Sequence, residues 1–140
     1  MTSTELIKLK FLPASADLGL LVLRAWLGLS MLIIHGLGKL QNFNGTLALF
    51  RDKMGIPAPL GVCAILAESA CSVLLILGLA TRPAALFLAV TMGVAFVKIH
   101  KMLLVAPQGA STGELPFIYL GGFVVLFLAG GGRFSMDDKI

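Results

Sequence analysis

Four long apolar stretches separated by short polar connections dominate the chain. They run from about Leu18 to Leu37, from about Pro59 to Ala80, from Pro83 to about Val97 with a continuation toward Leu104, and from Leu115 to Gly132. A helix needs about 20 mostly apolar residues to cross a bilayer. The pattern therefore predicts an all-α membrane protein, a bundle of four transmembrane helices.

The connections divide the chain into three parts. Residues 1–17 alternate apolar and charged positions, which indicates a short N-terminal segment lying on the membrane surface. Residues 18–133 are predicted to form a single four-helix transmembrane domain, and residues 134–140 a C-terminal tail. Within the first connection, Thr46 to Met54 predicts a short interfacial helix. Residues 81–83 form a tight turn that makes the second and third spans an antiparallel hairpin.

Composition supports a membrane protein and argues against nucleic-acid binding. Of the 140 residues, 58% are hydrophobic and only 13% are charged, whereas about a quarter of a soluble domain is charged. The net charge of +4 comes from isolated Lys and Arg at the edges of the spans, not from a basic face with aromatic platforms. Lysine and arginine divide equally between the two sides of the membrane, so charge leaves the orientation open.

The first span carries three ionisable side chains on one face. Arg24 and His35 lie eleven residues apart, close to three helical turns, and Lys39 follows His35 by one turn. A membrane helix turns such a stripe away from lipid. We therefore expect these residues to face the inside of the bundle, although Arg24 also has the alternative of extending to the near membrane surface.

Glu68 is the only charged residue of the second span and lies near its middle. With a rise of about 1.5 Å per residue, its depth is close to that of Arg24. We predict that Arg24 and Glu68 form an ion pair, with Asp137 or Asp138 as competing partners for Arg24. The alternative role for such a pair is to fix helix packing and nothing more.

Other polar residues fall at the end of the bundle where His35 and Lys39 lie. They are Lys98, His100, Lys101 and Glu114. We predict that cations, imidazoles and a carboxylate converge on this mouth of the bundle. Lysines at such depths also serve as anchors in the lipid headgroups, and that alternative stays open.

The metal-ligand and thiol side chains form no recognisable motif. The residue types able to bind a metal are His35, Glu68, His100 and Glu114. None of them has the close local spacing of a dedicated site, so we expect no metal. Cys63 and Cys71 lie eight residues apart, which is about 12 Å along one helix and too far for a disulfide.

Six motifs follow one another along the chain from about Leu20 to Asp138. They are RAWLGLSMLIIHGLGKL, GIPAP, ILAESACSVLLILGLATRPAAL, MGVAFVKIH, GELPFIYL and GGRFSMD. In this order and spacing the chain resembles the DoxX family of small bacterial membrane proteins. The resemblance places the family's polar positions on Arg24, His35, Lys39, Glu68, His100, Glu114 and Asp137. The connection KMLLVAPQGASTGE departs from the family pattern because it lacks aromatic residues.

The resemblance implies a four-helix protein of the bacterial inner membrane with cytoplasmic termini. Relatives are linked to membrane subunits of thiosulfate:quinone oxidoreductase and to membrane-associated oxidoreductase complexes in thiol and oxidative-stress homeostasis. The first functional hypothesis is therefore a redox-complex subunit that binds a quinone, with Glu68 and His35 as catalytic residues. Its ligand-binding residues would be Arg24, Lys39, His100 and Glu114. The chain has no haem ligand pair, flavin motif or paired cysteines, so this function requires a partner that holds the redox centre.

Two other functions remain as alternatives. One is a module that binds or transports a small anion or a lipid-like molecule, with Lys39, His35 and Lys98 as the counter-charge and a homodimer to enlarge the cavity. The other is a non-catalytic membrane scaffold that docks soluble enzymes. Bound quinone favours the first hypothesis, and anion flux in liposomes favours the second.

Overall fold

A computed structural model describes residue 4, residues 7–9 and residues 14–140, and this part of the chain is helical without any strand. The helices are α1 (Ala16–Gln41), α2 (Phe43–Met54), α3 (Ala58–Leu77), α4 (Thr81–Ile99) and α5 (Glu114–Ala129), followed by a 3₁₀ turn at Asp137–Lys139. The predicted all-α class is confirmed. The surface segment predicted at residues 1–17 falls mostly on residues outside the described ranges and stays a prediction.

Three of these helices are long and apolar enough to cross a membrane. They are α1 with 26 residues, α3 with 20 and α4 with 19. Helix α5 is as apolar but has only 16 residues, which is about 24 Å at 1.5 Å per residue, against about 30 Å for the hydrocarbon core. The chain is therefore a multi-pass membrane protein, and the count of four spans stays a prediction.

The short helix predicted in the first connection is present as α2. It begins at Phe43, three residues before the predicted start, and ends where Gly55 takes a left-handed conformation with φ of 63°. Its Leu47 and Phe50 side chains lie against Gly61 in the first turn of α3. Helix α2 therefore covers the start of α3 and closes one end of the bundle, which we call the cavity end.

Helices α1 and α3 approach each other at glycines. A Cβ atom on Gly28 would lie 2.9 Å from the Ser72 carbonyl oxygen, and one on Gly36 would overlap the carbonyl oxygen of Glu68. Small residues let membrane helices pack backbone against backbone. The contact at Gly36 places that residue and Glu68 at the same depth in the membrane.

Each of the three long helices, α1, α3 and α4, contains one π-helical turn. These turns are Met31–Gly36 in α1, Ala67–Cys71 in α3 and Ala95–Ile99 in α4. A π turn is rare, occurs mostly inside α-helices and is frequent at functional sites. The turns in α1 and α3 carry His35 and Glu68, and His100 follows the turn in α4 directly.

The opposite end of the bundle, which we call the terminal end, is held together by the C-terminal tail. Arg24 is 1% exposed and donates from Nη1 to the carbonyl oxygens of Leu75 (3.1 Å) and Ile76 (2.8 Å) and from Nη2 to that of Phe134 (2.6 Å). The Asp137 carboxylate accepts hydrogen bonds from the backbone N–H groups at the start of α4. Arg24 and Asp137 thus fasten the tail over the turn between α3 and α4.

Candidate functional site

An ion pair between a buried carboxylate and a partly exposed ammonium group joins α1 to α3 at the cavity end. Lys39 Nζ lies 2.5 Å from Glu68 Oε2, and the exposed fractions of the two side chains are 29% and 4%. Gly36 packs on the Glu68 backbone, and Lys39 follows Gly36 by three residues on the same face of α1. Because the two helices approach closely at Gly36, the Lys39 ammonium group lies within reach of the Glu68 carboxylate.

The predicted ion pair between Arg24 and Glu68 is wrong. Gly36 and Glu68 lie at one depth, and Arg24 precedes Gly36 by twelve residues, which is about 18 Å along α1. No arginine side chain spans that distance. Arg24 instead hydrogen-bonds backbone carbonyls at the terminal end.

Helix α2 contributes an aromatic ring to the same pair. The Lys39 Nζ atom lies 5.6 Å from the centroid of the Phe50 ring, and Phe50 is 6% exposed. A cation over an aromatic face is attracted by the negative charge of the ring surface. Lys39 is thus held between the Glu68 carboxylate of α3 and the Phe50 ring of α2.

The pair forms part of the wall of a cavity of about 640 Å³, which we call the first cavity. Its polar lining comes from every described segment at this end of the bundle. The residues concerned are His35, Lys39, Asn42, Thr46, Glu68, His100, Ser111, Thr112 and Tyr119. Four of the six predicted site residues, His35, Lys39, Glu68 and His100, therefore meet around one space. Their roles there stay predictions.

The two histidines have different surroundings in this cavity. The His35 ring meets the Tyr119 ring edge-on with centroids 6.0 Å apart, and it takes part in none of the side-chain hydrogen bonds found among the described residues. Tyr119 donates its hydroxyl to Ser30 Oγ at 2.8 Å. His100 Nδ1 lies 3.3 Å from Ser111 Oγ. Among the described residues, His100 therefore has a hydrogen-bonding neighbour in the loop, whereas His35 has an aromatic neighbour only.

A second cavity of about 590 Å³ is also lined by the ion pair. Its wall is mostly apolar and comes mainly from α2, α3 and α4, and its polar members besides the ion pair are Cys63, Thr91 and Lys98. The two cavities share six lining residues. These are Lys39, Phe50, Met54, Glu68, Ala95 and Ile99. The ion pair therefore lies where the two cavities adjoin.

Two predicted site residues lie elsewhere. Glu114 is exposed at the start of α5 and lines neither cavity, and Arg24 lies at the terminal end. Lys98, which was expected at the common mouth, lines the second cavity instead.

Asp137 at the terminal end is a charged cap for α4. Its Oδ1 and Oδ2 atoms accept from the N–H groups of Ala80 and Thr81 at 2.6 and 2.8 Å. Partial burial opposes ionisation, but these hydrogen bonds and the positive charge of Arg24 outweigh it, so the pKa of Asp137 falls below its ordinary value. Asp137 had been named as a competing partner for Arg24; it interacts with Arg24 through charge, while its oxygens bond to the backbone.

Sequence reasoning missed Tyr119 and Phe50, which line the first cavity. Tyr119 had a signal, because it is the single tyrosine of the chain and lies in an otherwise apolar span. A buried tyrosine hydroxyl usually has a hydrogen-bond partner. No feature of the sequence marked Phe50, because its place in the cavity wall depends on how α2 packs against the start of α3.

Metal-binding side chains do not gather in the described residues. Nowhere in residue 4, residues 7–9 or residues 14–140 do three or more His, Cys, Asp or Glu side chains come close enough to hold an ion. His35, Glu68 and His100 line one cavity without forming such a group. The structure therefore offers no candidate metal centre in this part of the chain.

Fold and site together define a class: a multi-pass helical membrane protein whose bundle encloses ionisable side chains around a cavity. The DoxX family model matches residues 19–101, and the chain belongs to the DoxX family. An uncharacterized protein of Haemophilus influenzae (strain Rd) is 33% identical over 115 residues, 78% of this chain and 81% of its own length. The inner membrane protein YphA of Escherichia coli (strain K12) is 31% identical over 114 residues, 76% of this chain and 80% of its own. No solved structure matches the chain.

Proposed function

We propose that this protein is an inner-membrane subunit of an oxidoreductase system and binds a quinone in the first cavity. The observation that carries the proposal is the cavity itself, which combines apolar walls with His35, Tyr119 and the Lys39–Glu68 pair. A cavity of about 640 Å³ falls in the usual range for small-molecule sites, about 300–1,000 Å³. The E. coli relative is named an inner membrane protein, which supports the inner membrane as the location.

The topology that accompanies this function has four spans, with α5 as the fourth. Helix α5 begins near the last turn of α4, where Gly113 lies against Phe96 and His100. It ends near the first turn of α4, where Arg82 Nε donates to the Phe127 carbonyl oxygen at 2.9 Å. Since α4 is long enough to span, a helix that runs from one end of it to the other crosses the same bilayer. Both termini then lie on one side, which we assign to the cytoplasm.

The residues of the cavity suit a ligand with a hydrogen-bonding ring. A quinone accepts hydrogen bonds at two ring oxygens and takes up two electrons and two protons on reduction. The single N–H group of a neutral His35 ring would donate to one of these oxygens. Tyr119 holds the His35 ring edge-on and is itself fixed by Ser30. Glu68 is positioned to hold or accept a proton, and Lys39 stabilises its carboxylate inside the bundle.

Electrons must come from a partner subunit. The sequence has no haem-attachment motif and no closely spaced cysteine pair, and Cys63 and Cys71 are free thiols. We therefore place this chain at the quinone end of a complex whose other member holds the redox centre.

The geometry favours a neutral ring over an anion. Lys39 was the expected counter-charge for an anion, but its ammonium group is already neutralised by Glu68. An anion that bound Lys39 would have to displace the Glu68 carboxylate. The carboxylate would then remain buried without a partner, which is strongly destabilising. The anion module therefore ranks below quinone binding, and both it and the scaffold become outcomes of the test.

Quinone retained by the purified protein tests the proposal. The wild type, extracted into nanodiscs from quinone-containing membranes, should carry quinone measurable by solvent extraction and mass spectrometry. His35→Ala should lower the quinone content at least about fivefold, and so should Glu68→Gln. The matched control is Glu114→Gln, because Glu114 is exposed and lines neither cavity.

Three other results contradict the proposal. Quinone content that is equal in all four proteins indicates bulk carry-over. A wild type free of quinone that conducts anions in liposomes, with flux lost in Lys39→Ala, assigns the chain to anion transport. A wild type that neither binds nor transports but whose deletion disperses a membrane complex is a scaffold.

A further inference from the structure

The second cavity opens sideways toward the bilayer between α3 and α4. Leu60 on α3 and Phe87 and Val90 on α4 line it, and each of these side chains is about 60% exposed. In a membrane helix, exposed apolar side chains face acyl chains. The second cavity is therefore a groove in the lipid-facing surface, with its inner end at the ion pair.

The two cavities adjoin at that inner end. Lys39, Glu68 and Phe50 line both of them. A molecule that lies across this boundary has one part among histidines and hydroxyl groups and the other among Leu, Phe and Val side chains. That division of polarity matches a molecule with a polar head and a hydrocarbon tail.

We propose that the groove between α3 and α4 holds the isoprenoid tail of the quinone whose ring occupies the first cavity, and that the ligand enters sideways from the bilayer. This inference rests on the proposed function and narrows its substrate to long-tailed, membrane-resident quinones. The ring enters past the Lys39–Glu68 pair, with the Phe50 ring of α2 beside it. The tail then remains in the groove and lies partly against lipid.

Blocking the groove tests the inference without touching the ring site. Ala64 lines only the second cavity and is half-buried on α3, so Ala64→Phe places a phenyl ring in the path of the tail. Ala70→Phe is the matched control, because Ala70 is exposed on the same helix and lines neither cavity. The probes are ubiquinone with its full isoprenoid tail and an analogue with a single isoprene unit, titrated into nanodiscs that contain the protein.

The expected result is a selective loss. Ala64→Phe should weaken binding of full-tailed ubiquinone at least about tenfold and leave the single-isoprene analogue within about twofold of wild type, whereas Ala70→Phe should bind both as wild type does. If Ala64→Phe does not fold, Thr91→Phe on the opposite wall, which also lines only this cavity, serves in its place.

Several outcomes overturn the inference. If a folded groove variant binds the full-tailed quinone as wild type does, the tail does not lie in the groove, although the ring site can still be correct. Equal loss of both probes places the ring, not the tail, at the blocked position. A phospholipid recovered from the wild type and lost in Ala64→Phe gives the groove another occupant. Wild type that binds neither probe refutes the proposed function itself.

Discussion

The contact of α1 with α3 at Gly36 predicts a large effect from a single methyl group. In Gly36→Ala the new Cβ atom overlaps the carbonyl oxygen of Glu68, and its neighbours are backbone atoms of Glu68 and Ser69. Backbone cannot rotate aside as a flexible side chain can. Overpacking costs about 1–3 kcal/mol, offset by up to about 1 kcal/mol from the better helix propensity of alanine. We expect a net loss of about 1–2 kcal/mol in the free energy of unfolding.

Gly38→Ala is the matched control two residues further along the same helix. A Cβ atom there meets nothing within 4 Å, so only the propensity gain of up to about 1 kcal/mol applies. Unfolding in mixed micelles with increasing SDS, followed by circular dichroism, should separate the two variants by about 2 kcal/mol. Gly36→Ala should also retain less quinone, because it pushes Lys39 away from Glu68. Equal stability of the two variants would refute the close approach of α1 and α3.

Three further predictions concern the charged groups. Lys39→Met should cost about 3 kcal/mol, the low end for breaking a buried pair because Lys39 is partly exposed, and adding Glu68→Gln should restore most of it in the same unfolding assay. Arg24→Lys should cost about 2 kcal/mol, since an ammonium group cannot serve three carbonyls, and should make the tail sensitive to carboxypeptidase. Asp137→Asn should cost up to about 1 kcal/mol at neutral pH. The pKa of Asp137 lies below its ordinary 3.8, so the Asp137 carboxylate stabilises the fold above pH 3.8. This stabilisation is lost as the pH falls through the lowered pKa, and the stabilities of wild type and variant should therefore converge in acid.

Features that depend on local pattern could be predicted from the sequence. The positions of the three long apolar helices follow from runs of hydrophobic residues, and the turn at residues 81–83 follows from Pro83 near the start of α4. The meeting of His35, Lys39 and His100 at one end also follows, because counting residues along each span gives an approximate depth.

The vertical offset between helices could not be predicted in this way. It is set by where two backbones touch, and the contact of Gly36 with Glu68 is a property of two surfaces 32 residues apart in sequence. Pairing Arg24 with Glu68 sets the two helices against each other with an error of twelve residues along α1, about 18 Å, because Gly36 and not Arg24 lies at the depth of Glu68. The π turns escaped prediction as well, because an extra residue in one turn leaves the hydrophobic pattern almost unchanged.

The chemistry of the ion pair bears on why charges lie inside this bundle at all. Removing an ammonium and a carboxylate from water costs several kcal/mol each, and a well-packed apolar pair of similar volume often stabilises a protein as well or better. Helices α1 and α3 already pack closely through Gly28 and Gly36, so the pair is not needed to hold them together. In the quinone-binding proposal, its position where the two cavities adjoin gives it a use that packing does not, namely to meet the part of the ligand where the polar ring joins the tail. A variant with both charges removed should therefore stay folded and lose its quinone.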